Sequence, residues 1–170
     1  MYSGGSIMTL FLHFLKNYIL ISALCSWFLA QVIKFFIDWI AKGTPNLQRL
    51  FGDGGMPSGH SATVVCTAVM VGYSCGFASP VFGLAFIFAI IVMHDATGVR
   101  RETGKQAVVL LDILATLNDI ISEKDEQIRL RKLKTMVGHT PMQVFFGAIL
   151  GIVVAVAFIL LSNLTYCAYA

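Results

Sequence analysis

Apolar positions along the chain fall in blocks rather than in alternation. The first block runs from Tyr18 to Ile40, interrupted late by Lys34 and Asp38, and Ile7 to Leu15 either extends it or lies along a surface. A second runs from Ser58 to Phe77, a third from Val81 to Met93 before His94 and Asp95, and a last from about Val144 to Leu161. Crossing a hydrocarbon core of ~30 Å takes about 20 helical residues, so these blocks predict four spans, at about 18–40, 58–77, 81–94 and 144–161. The uncharged connection Ser74 to Pro80 holds Gly76 and Pro80, which predicts a tight turn between antiparallel neighbours. Between the third and fourth blocks lies a charged region, about 95–138. It contains an amphipathic stretch, Gln106 to Ile121, and a charged helical stretch, Glu123 to Lys134. The expected architecture is all-α: a polytopic transmembrane helical bundle of about four spans plus an amphipathic helix, forming one integral membrane domain over 1–170. Small residues at Gly72, Ser74, Gly83, Gly147 and Gly151 would let helices approach closely in lipid.

Composition supports the same reading. Of 170 residues 57% are hydrophobic and 12% charged, against roughly 25% charged in soluble domains. The net charge of +3 is small, and no Lys/Arg run is interleaved with aromatics, which excludes nucleic acid as a partner. Cys25, Cys66, Cys75 and Cys167 are scattered without a C-x-x-C pair, as core-filling residues are. No basic leader precedes the first block, so a cleaved signal peptide is not expected. With four spans, eleven of the twelve Lys and Arg share one face, and Lys16 alone lies on the other. Positive charge prefers the cytoplasmic side, so the charged region is expected in the cytoplasm with both termini outside, in a plasma (inner) membrane. A fifth span at Gln106–Ile121 would undo that asymmetry and sink Asp112 in the bilayer. The stretch is therefore read as an interfacial helix, surface-lying or tucked into the bundle.

Candidate chemistry gathers at three places. Gly54 to Ala62 reads G-G-M-P-S-G-H-S-A and opens the second span. Glycines allow a tight turn, Ser58 can cap the helix, and the N–H groups of such a helix start attract an anion, with His60 facing it. Gly138-His139-Thr140-Pro141 opens the last span, so a second histidine marks a helix start at the same membrane face. Arg100 and Arg101 follow the third span beside Asp95, Glu102 and the flexible Gly104, while Lys34 and Arg49 precede the glycine turn on the same side. Arginine holds phosphate oxygens in bidentate fashion and lysine acts as a point charge. Together these supply a nucleophile, a proton donor and fixed positive charge, the requirements of phosphomonoester hydrolysis.

These motifs resemble the phosphatidic acid phosphatase type 2 superfamily, and more closely its divergent, short membrane branch. The resemblance rests on P-S-G-H at Pro57–His60 within G-G-M-P-S-x-H-S-A, on Asp95–Arg101 with Gly104, Gln106 and Ala107, and on Gly138–Pro141 with Val144 to Gly147 behind it. It covers roughly Gln31 to Gly151. It implies that His139 attacks phosphorus to form a phosphohistidine and that His60 protonates the departing oxygen. Ser58 and Gly59 would hold phosphate oxygens, and Lys34 and Arg49 would neutralise charge, with Lys42 as the alternative lysine. No metal or other cofactor is implied, and the expected substrate is a lipid phosphate or pyrophosphate in the membrane. The chain departs from the wider superfamily at Gln143, where an Asp orients the nucleophile, and lacks the S-R pair before His139; Arg100 or Arg101 and Asp95 are the candidate replacements.

Overall fold

The computed structural model describes residues 16–45, 55–121 and 139–168, with the isolated positions 9, 14 and 47; of 100, 118–121 and 163–168 only the backbone is described. Among the described residues five helices follow in order: α1 (Tyr18–Lys42), α2 (Gly59–Cys75), α3 (Pro80–Thr97), α4 (Val99–Ile121) and α5 (Pro141–Ala168). The protein is an all-α membrane bundle. Arg49, Gly54 and the charged stretch Glu123–Lys134 lie outside the described residues.

Local chemistry sets the boundaries. Asn17 caps α1 by accepting the Leu20 N–H at 3.1 Å, and Gly43, at φ 71°, ends it in the left-handed conformation that a Cβ disfavours. Ser79 caps α3 and is followed by Pro80 at the first helical position, where a missing N–H costs nothing. The link from Gly76 to Ser79 is the tight turn expected, and α2 packs on α3. Among the described residues three stretches are long and apolar enough to cross a bilayer: Tyr18–Lys42, Pro80–Leu117 and Pro141–Ser162. α2 is shorter than expected, 17 residues or about 25 Å, because Gly76 at φ 86° stops it. It is the central element, packed against α1, α3 and α5, with Ala62, Cys66, Ala68 and Met70 buried.

Two of the five small residues make the closest helix contact. A Cβ on Gly147 would lie 2.5 Å from the Ser58 carbonyl oxygen, and one on Gly151 would lie 2.5 Å from that of Ala62. α5 therefore rides directly on the backbone of α2, and Val154 and Ala155 continue the contact onto Cys66 and Met70. Gly83 does not share this role, since nothing approaches it within 4 Å, and Ser74 is exposed.

The charged region departs from expectation. Residues 99–105 are not a flexible connection; they form the first turns of α4, separated from α3 by Gly98 alone. A glycine costs only about 1 kcal/mol inside a helix, and an ion pair between Lys105 and Glu102 at 2.6 Å bridges the turn around Gly104. The run from Pro80 to Leu117 is 38 residues, about 57 Å and roughly twice a hydrocarbon core, so its second half extends beyond one crossing. α4 packs on α3 and is not tucked into the bundle: of its described residues only Gly104 is buried, while Val109, Leu110, Ile113 and Leu117 are exposed.

Candidate functional site

Three helix ends and the flank of a fourth meet at one end of the bundle. The Ser58 N–H donates to the Gln143 carbonyl at 2.9 Å, which ties the start of α2 to the start of α5. The His139 N–H donates to the Ala96 carbonyl at 2.9 Å, which ties the start of α5 to the end of α3. Two motifs 79 positions apart in the sequence are thus fastened through backbone bonds, independent of side-chain rotamer.

The start of α2 is capped from within. Ser58 is fully buried, and its hydroxyl oxygen accepts from the Ser61 N–H at 3.3 Å and the Ser61 hydroxyl at 3.0 Å. The preceding Met56–Pro57 peptide is cis. Gly59 is buried against α1: a Cβ there would lie 3.4 Å from Trp27 Cδ1 and 3.7 Å from the Lys34 ammonium. Lys34 is 5% exposed and donates to Gln31 Oε1 at 3.2 Å, so a cation is held inside the bundle beside the helix start. An ionisable side chain at such depth is expensive and marks a functional position by default. Lys34 is thus the candidate lysine that lies beside the start of α2. Lys42 lies two turns further on, exposed and paired with Asp38 at 2.9 Å, which leaves Lys34 as the lysine of the site.

The histidines converge. The rings of His60 and His139 have centroids 6.1 Å apart, inclined at 62°. His60 is exposed, whereas His139 is 5% exposed. His139 Nδ1 lies 3.1 Å from Gln143 Oε1, and that same Oε1 is 3.1 Å from the Thr140 N–H. A backbone N–H can only donate, so the shared Gln143 atom is the amide oxygen, and Nδ1 must donate to it. In the neutral ring the lone pair then resides on Nε2. The tautomer suited to attack at Nε2 is therefore specified by Gln143 and Thr140 jointly.

The remaining candidates are distributed unevenly. Asp95 is half-buried and adjoins Ala96, whose carbonyl binds His139. Arg101 is exposed on α4, Glu102 pairs with Lys105 rather than with an arginine, and of Arg100 only the helical backbone is described. Sequence reasoning missed Trp27 and Gln31. Their signal was present: Trp27, Gln31 and Lys34 recur at helical spacing on one face of an apolar span. Among the described residues no three His, Cys, Asp or Glu side chains are grouped as a ligand set for a metal ion.

The comparisons with known proteins give the family. The model of the divergent PAP2 family matches residues 15–154, which includes all four converging elements. The chain belongs to the divergent PAP2 family. A relative, the uncharacterized membrane protein YuiD of Bacillus subtilis (strain 168), is 40% identical over 144 residues, spanning 81% of this chain and 91% of that protein. No solved structure gives a significant match. The divergent PAP2 match begins before α1 and ends within α5, beyond Gly147 and Gly151, so the glycine contact between α2 and α5 lies wholly inside it.

Proposed function

We propose that the protein is a membrane phosphatase that hydrolyses a lipid phosphate or pyrophosphate through a phosphohistidine. The observation that carries the proposal is the pair of histidine rings 6.1 Å apart at two adjoining helix starts. Reacting atoms about 3–3.5 Å apart are in near-attack geometry, so rings at this separation can address one phosphoryl group from two sides. Lys34 and the helix start at Gly59 supply positive charge and N–H donors for its oxygens.

In the first step Nε2 of His139 bonds to phosphorus while the P–O ester bond breaks, and His60 gives a proton to the departing oxygen. In the second step water attacks phosphorus, His60 takes its proton, and the P–N bond breaks to release phosphate. The positive charge on phosphorylated His139 faces an amide at Gln143 rather than a carboxylate. That single feature supports the second reading, a non-catalytic relative that binds anionic lipid headgroups or serves a structural or transport role. The site would face the cytoplasm of a plasma membrane, following the asymmetry of positive charge.

Phosphate release from a panel of lipid phosphates by the purified protein in liposomes separates the two readings. Turnover is expected for the native chain, with loss of at least about a hundredfold, the usual contribution of acid–base catalysis, in His60→Ala, and complete loss in His139→Ala. Binding of lipid phosphate without release, in every preparation, would establish the second reading instead.

A further inference from the structure

A groove of about 580 Å³ runs along the bundle between α1 and α5. Leu24, Cys25 and Phe28 of α1 form one wall, and Val153, Ala157 and Leu161 of α5 form the other. Its surface is apolar on both walls, and it is the size of an ordinary ligand site. The two helices that build it also deliver the site's cation and its buried histidine: Lys34 stands on α1, and α5 begins two residues after His139.

The register of the bundle relates groove and site in depth. Gly147 lies beside Ser58 and Gly151 beside Ala62, so α5 and α2 run parallel away from the histidines. Leu161 is 14 residues beyond Gly147, about 21 Å deeper at 1.5 Å per residue. On α1, Phe28 is six residues before Lys34, about 9 Å along the same direction. The polar, cationic end thus stands at one end of the bundle, and the apolar trough lies deeper along it, towards the opposite leaflet. This is the profile of an anionic headgroup with a long hydrocarbon tail.

We infer that the groove between α1 and α5 holds one hydrocarbon chain of a lipid ending in a phosphomonoester, whose headgroup lies at Lys34, His60 and His139. The inference rests on the proposed function only for the position of the headgroup, and it does not require turnover. Moving a tail from bilayer to groove exchanges one apolar surround for another, so little affinity comes from the tail itself. The headgroup supplies affinity, and the groove fixes the direction from which the phosphate reaches the histidines. A soluble phosphomonoester would lack that alignment.

The test uses the full-length protein in nanodiscs of phosphatidylcholine with two photoactivatable lipids, both with a diazirine near the tail end. One is a phosphatidic acid and the other a phosphatidylcholine. Cross-links located by mass spectrometry on α1 and α5 are expected to favour the phosphatidic acid by roughly tenfold, the worth of one charge-assisted contact. In Lys34→Gln that preference should fall to unity. Ala157→Trp, which fills the trough, should abolish the groove cross-links while inorganic phosphate still binds; if this variant misfolds, the native chain and Lys34→Gln still decide. Equal labelling by the two lipids, or phosphate-selective labelling only on the lipid-facing side of α3 at Phe86 and Ile87, would overturn the assignment. So would ready Cys25–Cys25 coupling between copies, which would make the groove a seam between two chains. Selective groove labelling without phosphate release would leave this inference standing and defeat the catalytic reading; release without selective labelling would do the reverse.

Discussion

The two histidine-bearing helix starts are built differently, and the difference bears on the roles proposed for them. At α2 the cap is buried and the histidine is not: Ser58 is fully enclosed by its bonds from Ser61, while His60 is exposed. At α5 the arrangement is inverted. His139 is buried and its Nδ1 is fixed by Gln143, while Thr140 and Pro141 at the helix start are exposed. A nucleophile benefits from one tautomer held at one place, because reaction needs an aligned lone pair. A proton donor that must also exchange with water benefits from access to it. Under the proposed mechanism the fixed ring suits the attacking group and the exposed ring the acid, the same division that the family resemblance implies.

The strongest way to break this comparison is to move one start against the other. Gly147→Ala would place a methyl 2.5 Å from the Ser58 carbonyl, a backbone atom that cannot turn aside. The expected cost is about 1–3 kcal/mol of stability, typical of overpacking, with loss of phosphate turnover in protein that remains folded; thermal unfolding in detergent and an activity assay read both. A smaller effect should follow from loosening the fixed ring. Gln143→Leu removes the acceptor shared by Nδ1 and the Thr140 N–H, so turnover should drop about tenfold, the worth of one hydrogen bond to a charged group, with a modest loss of stability of about 0.5–1.5 kcal/mol. Gln143→Glu keeps the oxygen acceptor and should keep activity, an outcome that a purely structural role for the side chain would not produce. The smallest effect is expected at the other start. Ser61→Ala removes one of two bonds to the Ser58 hydroxyl and should cost about 0.5–1.5 kcal/mol, leaving turnover unchanged.

Much of the bundle was legible because lipid forces a simple code: apolar blocks long enough to cross must be helices, since backbone groups have no other partner there. The two histidine motifs were legible because glycine, proline and serine cluster where a helix begins. Three things were not. The turn after α2 was legible, but the residue at which α2 stops depended on Gly76 adopting positive φ, which the stretch Ser74 to Pro80 leaves open. Gly104 read as a flexible glycine, yet it lies buried within α4, which follows α3 with Gly98 alone between them. Lys34 read both as a late interruption of the first span and as a candidate for phosphate charge, but its depth in the bundle did not show. Its burial beside Gly59 depends on α2 starting about three turns below the end of α1, a relation between helices that no local pattern contains.

The most direct test is where phosphorus becomes attached. Liposomes carrying the protein would be mixed with ³²P-labelled phosphatidic acid, quenched in alkali within a turnover, and the labelled peptide sequenced. The label is expected on His139 and absent in His139→Ala. A label on His60, or full phosphate release from His139→Ala with no labelled histidine at all, would contradict the account.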